Sequence, residues 1–415
     1  MRRTLALSLV LTLSLGSLSG CGPATPAVQA RELTAQPTSV QPAGSPTVDQ
    51  ALTGFGLSLL QGARSTENGP VLLSPLSAAL ALSMAANGAE GDTLAQFESV
   101  LGGGVSLEEL NAACAQLLSY YETLGGSTEC LIANSLWTDP EGMIREDFIG
   151  KCRGIFDAQV FSQELSDPSV VPAVNGWVDD HTNGMIPNIL SEPFSENTAL
   201  LLVNALYLNN TWETEFDPNN TYLRGFYHQG NGKESMDFLN AGFVTFPYLQ
   251  SETAQGAVLP YDDGRLAFFA LMPDAETDFA SWLDTLDGNA FTGLLESRAD
   301  TEFLTLALPK FEAEWDGPLQ DILSTMGLDL AFTPGAADFS LMGDNPNGYF
   351  LSQVIHAAKI EVNERGTQAA AATVVEADSG SAAPESGVTL IFDQPFLYGI
   401  VDLETGVPLF LGTFE

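Results

Sequence analysis

Across 415 residues Asp and Glu outnumber Lys and Arg by 53 to 14, a formal net charge of −39 that leaves no basic stripe to meet phosphates and sets a nucleic-acid partner aside. Nothing after residue 48 reads as a linker or an internal repeat, so one large domain is expected. The cysteines of that domain, Cys114, Cys130 and Cys152, are odd in number and lack metal-ligand spacing, so they form at most one disulfide or stay as thiols.

The chain opens with Arg2 and Arg3, an apolar run and then small residues, the pattern of a secretory signal over residues 1–20. Its end, Leu18-Ser19-Gly20-Cys21, resembles a bacterial lipobox, in which Cys21 becomes the lipidated first residue; an ordinary signal with a chance cysteine is the alternative. Acyl chains on Cys21 would anchor the exported protein to a bacterial membrane, on its extracytoplasmic side, without spanning it. Residues 21–48 are rich in Pro, Ala, Thr, Gln and Ser with hardly an apolar cluster, and read as a flexible tether. The folded domain is expected over 49–415.

Leu52, Phe55, Leu59 and Leu60 stand at helical spacing and predict a helix over 49–65. A short apolar strand then leads to Ser74 as a cap and Pro75 in the first turn of an alanine-rich helix. Helices are expected from Gly91 and over 107–124, a strand over 130–137, and helices from about 145 and over 174–182, the last closed by Asn183-Gly184. The nearly unbroken apolar run 198–208 reads as a strand buried on both faces. Later strands are expected at 243–248, 257–259, 266–272, 302–309, 396–402 and 407–413, the last pair around Thr405-Gly406. Helices early and strands throughout, without strict alternation, predict an α+β domain.

Some polar residues have no obvious place in a core. Asn204 interrupts the run 198–208, and a buried amide needs hydrogen bonds; Ser74, Ser77 and His356 are the ready partners. The histidines are His181, His228 and His356, with no His-Glu-x-x-His helix and no Gly-x-Ser-x-Gly elbow, and His356 reads as a structural histidine.

The stretch 361–387 contradicts itself as local structure. Four alanines, 369–372, favour helix, yet Gly366 precedes them and Thr373, Val374 and Val375 follow. Laid out as a strand, Thr367, Ala369, Ala371, Thr373 and Val375 form one small face, while Gln368, Ala370, Ala372, Val374 and Glu376 form the other. Such a segment can live as a loop and also as a strand; an exposed alanine-rich helix is the alternative.

Several stretches together resemble one family, the serpins. They are the Leu-Ser-Pro-Leu-Ser around 73–77, Ala86-Asn-Gly-Ala-Glu-Gly-Asp-Thr, Val174-Asn-Gly-Trp-Val, Leu202-Val-Asn-Ala-Leu-Tyr-Leu-Asn-Asn-Thr-Trp, Leu308-Pro-Lys-Phe, Val354-Ile-His-Ala-Ala-Lys-Ile-Glu-Val-Asn-Glu-Arg-Gly-Thr and Gln394-Pro-Phe-Leu-Tyr. Their order and spacing cover roughly residues 50–415. The resemblance implies the serpin fold, with three β-sheets, about nine helices and an exposed reactive-centre loop. It makes Ser74, Ser77, Asn204 and His356 a shutter between two central strands and puts Trp212 at the breach where the loop enters. Glu364 becomes the hinge glutamate, with Lys310 as its ion-pair partner, and Gly366, Thr367, Ala369, Ala371 and Thr373 the inserting hinge.

The implied activity is suicide inhibition of a serine protease, with no enzymatic activity or cofactor of its own. The protease attacks the loop, forms its acyl-enzyme, and is dragged away as the loop inserts into the central sheet. A non-inhibitory serpin acting as a protease substrate or binding protein is the alternative, and an unrelated lipid-anchored binding protein or hydrolase is the third reading. Counted forward from Glu364, the scissile bond falls at Gly380-Ser381; counted back from Pro395, it falls between Ser381 and Pro384. Gly380, Ser381, Ala382 and Ala383 are all small, which favours elastase-like or subtilisin-like proteases. The helix over 107–124 carries no Lys or Arg, so heparin is not expected to activate the protein, and a monomer is expected.

Overall fold

The computed structural model describes residues 30–66, 69–228, 232–367 and 387–415. Among them are nine α-helices and three sheets, of seven, ten and two strands, as expected for the α+β architecture. The seven-stranded sheet is built from β1 (Arg31–Leu33), β2 (Glu129–Thr138), β3 (Gln159–Ser162), β4 (Leu200–Thr211), β5 (Phe311–Pro318), β6 (Leu351–Val362) and β7 (Gly366–Thr367), in the spatial order β1-β3-β2-β4-β7-β6-β5. The ten-stranded sheet holds the C-terminal hairpin, Phe396–Asp402 with Pro408–Phe414, beside Leu266–Pro273 and Ala254–Pro260. The smallest sheet joins Met143–Ile144 to Gly343–Asp344.

The apolar run that predicts a doubly buried strand becomes β4, and the period of two explains why both of its faces are apolar. Leu200, Leu202, Leu206 and Leu208 enter the main core, with the helix Pro75–Ala86 below them. Leu201, Val203 and Ala205 enter a second cluster with Val174, Trp177 and Val178 of the helix Val170–His181. Burying each leucine removes about 2–3 kcal/mol worth of apolar surface from water. The helix Pro75–Ala86 is buried along its whole length, which its alanines allow by letting neighbouring backbones approach. Ser74 occupies its N-cap and Pro75 its first turn, but the Ser74 side chain makes no capping hydrogen bond, contrary to the expected cap.

The tether read over 21–48 needs correction from Ala30 onward. Arg31, Glu32 and Leu33 pair antiparallel with Ser162, Phe161 and Val160 and extend the seven-stranded sheet by an edge strand. The chain then crosses the helix Glu146–Phe156, where the Thr38 amide donates to Gly150 O at 2.8 Å. A Cβ on Gly150 would stand 2.6 Å from Gln36 O, and one on Gly154 2.6 Å from the Thr38 backbone carbon, so the two glycines clear the path. Leu33, Ala35 and Val40 pack on the main core, and the first helix begins at Pro46. Composition missed this docking because backbone groups and a few apolar side chains make it.

Cys114, Cys130 and Cys152 are all free thiols, and Cys114 and Cys152 are buried. Burial pushes Cys114 up to about 12, so it stays protonated and inert. Cys21, the residue expected to carry lipid, lies outside the described residues.

Candidate functional site

The seam between β4 and β6 is where the sheet changes character along its length. In its lower part the two strands pair directly and in parallel, with Asn204 opposite His356 and Ala205 opposite Ala357. In its upper part they part, and β7 lies between them: Gly366 pairs with Thr211 and Thr367 with Asn210 on one side, and Thr367 with Val362 on the other. The first residues of the segment 366–375 therefore already belong to the sheet.

A tight turn feeds β7 into the seam. Asn363 N donates to Gly366 O at 3.0 Å, and the Asn363 carboxamide oxygen accepts from the amides of Arg365 at 2.9 Å and Gly366 at 3.3 Å. Local side-chain bonding of this kind is what asparagine brings to turns. Trp212 holds the turn from β4's end: its indole donates to Asn363 O at 2.9 Å and its amide to Arg365 O at 2.8 Å. The Phe216 amide donates to Glu364 O at 2.8 Å. The Glu364 carboxylate accepts from Lys310 at 2.9 Å and from Thr221 Oγ1 at 2.9 Å. Burial alone would raise that carboxyl, but the bonds from Lys310 and Thr221 outweigh it and hold it below its ordinary value.

Thr367 is buried at 1 % exposure, so the small face read from the period of two does point inward at its first position. Its hydroxyl meets the hydroxyl of Tyr261 at 2.5 Å. Tyr261 is itself fully buried, stacked on Trp212 with ring centroids 4.9 Å apart and planes 6° apart.

Lower in the seam, His356 and Asn204 are buried and turn to different partners. His356 Nε2 accepts from the Ser74 amide at 2.9 Å, and burial depresses the imidazole to about 4, so the ring is neutral at physiological pH. Asn204 does not bond Ser74, Ser77 or His356, the partners expected for it. Its amide donates to Asn134 Oδ1 at 2.6 Å, directly across the β2–β4 register. The Ser74 and Ser77 hydroxyls, Asn204 Oδ1 and His356 Nδ1 are buried with no hydrogen-bond partner among the described residues.

The structure thus brings Glu364, Lys310, Trp212, Gly366 and Thr367 together at the top of the seam and Ser74, Asn204 and His356 lower down. Ala369, Ala371, Thr373 and the candidate bond at Gly380, Ser381, Ala382 and Ala383 lie outside the described residues. Sequence reasoning missed Asn134, Thr221, Tyr261 and Asn363. The Asn-x-x-Gly spacing of Asn363 and Gly366 was a usable turn signal; the other three act across distant strands and left no local trace. Among the described residues no cluster of His, Cys, Asp or Glu is arranged to hold a metal ion.

Residues 50–415 match the family model described as Serpin (serine protease inhibitor). Serpin-Z1C of Triticum aestivum is 31% identical over 357 residues, which cover 82% of this chain and 88% of the relative. Serpin B6 of Macaca fascicularis is 31% identical over 378 residues, covering 87% and 97%. Intracellular coagulation inhibitor 2 of Tachypleus tridentatus is 29% identical, covering 88% and 89%. Among solved structures, the thermophilic serpin Tengpin in its native state matches with a TM-score of 0.85 and 31% identity, over 93% of this chain and 99% of that one. Tengpin in its latent state matches with a TM-score of 0.75, over 90% and 99%, so the likeness is greater to the native form.

Proposed function

Since the chain belongs to the serpin family, whose members are generally protease inhibitors, we propose that it inhibits a serine protease as a suicide substrate and has no catalytic activity of its own. The protease's serine attacks a peptide bond within residues 380–384 and forms an acyl-enzyme. The freed N-terminal side of the loop then continues the strand begun by Gly366 and Thr367, and the acylated protease is carried off before water completes hydrolysis. The driving force is the new strand's hydrogen bonds and burial, and the starting fold is a kinetic trap.

The observation that carries this reading is β7. Thr367 is buried between β4 and β6, and the residues that would follow it inward, Ala369, Ala371 and Thr373, are small and uncharged. Insertion has to outrun deacylation, so an inward face that needs no rearrangement of the core favours inhibition over simple cleavage. The small residues at 380–383 suit a shallow specificity pocket, hence an elastase-like or subtilisin-like target.

Incubation of the domain with pancreatic elastase, followed by a denaturing gel, tests the reading. A covalent band at the summed mass supports it. Clean cleavage without a complex favours the non-inhibitory alternative, and an untouched loop removes the elastase-like target. Mass spectrometry of the released peptide locates the bond; a cut outside 378–384 removes the assignment. Export with acylation of Cys21 is part of the same proposal, and fatty-acid labelling that survives in Cys21→Ser would overturn it.

A further inference from the structure

The tip of the hairpin between Ala254–Pro260 and Leu266–Pro273 is built into the top of β4. The Asp262 amide donates to Thr211 O at 3.0 Å, and the Glu213 amide to Pro260 O at 2.9 Å. Asn210 Nδ2 donates to the Asp263 carboxylate at 2.5 Å, and Thr128 Oγ1 to the same carboxylate at 2.8 Å. Tyr261 sits in the middle of this platform, bridged and stacked to Trp212. Its ring cannot turn without disturbing the stack, and its hydroxyl is fixed in the upper seam, where it meets Thr367. Two hydroxyls that are both buried hold each other strongly, because neither can replace its partner with water.

We propose that Tyr261 is a positioning residue for loop insertion, latching the Thr367 hydroxyl so that insertion starts from a docked first residue. Once Thr367 is fixed, each further residue adds beside one already paired, and the entropy of finding the seam has been met in advance. A hinge released from Tyr261 must first return to the seam, and every such delay gives water more time at the acyl-enzyme. The latch thereby sets how the loop's cleavage divides between trapped and released protease. That consequence rests on the suicide-inhibitor reading; the latch itself does not.

The full chain and the variants Tyr261→Phe, Thr367→Val, Thr367→Ser and the Tyr261→Phe/Thr367→Val double variant distinguish the possibilities. Hydrogen exchange is read at the Gly366 and Thr367 amides, and the stoichiometry of elastase inhibition in the same samples. Tyr261→Phe and Thr367→Val each strand one buried hydroxyl and should speed exchange about ten-fold, with the stoichiometry rising above that of the parent. The double variant leaves neither hydroxyl stranded and should exchange faster than the parent but no faster than either single variant, whereas Thr367→Ser, which keeps the bond, should stay close to parental exchange. Parental exchange in both single variants, or losses that simply add in the double variant, would overturn the latch. If the parent forms no covalent complex but the exchange pattern appears, the latch stands and the inhibitor reading fails. A parent that forms the complex without the exchange pattern gives the reverse result.

Discussion

Gly366 lies against Asn210 and Thr211 so closely that a Cβ would overlap the Asn210 carbonyl oxygen and stand 2.9 Å from the Thr211 α-carbon. Only glycine can pair at this point of the seam, because the obstruction is backbone and has nowhere to yield. Gly366→Ala should therefore expel β7 at a cost of roughly 1–3 kcal/mol and leave the folded body intact. Faster hydrogen exchange at Thr367 with an unchanged far-ultraviolet spectrum is the expected result.

The ion pair of Lys310 with Glu364 spans two elements that have to keep their spacing, the strand β5 side and the turn above β7. Lys310 is 41% exposed and Glu364 13%, so solvent screening limits its worth to about 1 kcal/mol. Glu364→Gln, which can still accept from Thr221, should lower the apparent unfolding midpoint slightly, and added salt should shrink the difference between variant and parent. Because the carboxyl is held below its ordinary value, its contribution is present at neutral pH and fades as the pH falls through that lowered value.

His356 and Asp49 make opposite demands on acid stability. His356 is depressed from 6.5 to about 4, so the unfolded chain takes up a proton first, and stability present above pH 6.5 drains away as the pH falls toward 4, by about 3 kcal/mol. Asp49 is raised from 3.8 to about 6, by burial first and then by the charge of Asp402, and the folded state gains over the same descent. The parent should thus show a shallow profile between pH 7 and 4. Asp49→Asn should steepen the loss and His356→Gln should flatten or reverse it. Thermal midpoints taken at one scan rate check this, since a scan midpoint depends on the unfolding rate wherever unfolding is irreversible.

At Gly154 the N-terminal strap passes so close to the helix Glu146–Phe156 that the Thr38 backbone stands where a Cβ would go. Gly154→Val should displace the strap and unpair Arg31–Leu33 from the sheet, at roughly 1–3 kcal/mol. A glutamate-specific protease should then cut after Glu32 in the variant while sparing the parent, in which that bond is held in a ladder.

Much of the fold was legible because its longest elements are stated by pattern. The run 198–208 predicts β4, and alternation predicts that Thr367 faces inward. What stayed hidden depends on register. That Asn204 meets Asn134, and not Ser74 or His356, follows from how β2 slides along β4, which no local pattern encodes. The Tyr261 hydroxyl finds a partner 106 residues away. The strands Tyr222–Tyr227 and Phe311–Pro318 expose half or more of their residues, so their apolar signal is thin. Residues 30–45 illustrate the reverse error: a polar, proline-rich composition suggests a free chain, yet backbone pairing and two helix glycines are enough to seat it.

If Cys21 is acylated as proposed, that seating limits how the folded body can lie on a membrane. A chain free from Cys21 to Pro46 would reach about 80 Å when fully extended, whereas the nine-residue step from Cys21 to the seated Ala30 can span at most about 30 Å. The folded body is about 50 Å across for a chain of this size. A leash shorter than the body cannot let it tumble, so the flank carrying β1 would stay turned toward the lipid. Under the proposed acylation and inhibition, the proteases met would be those that come within one molecular diameter of the membrane.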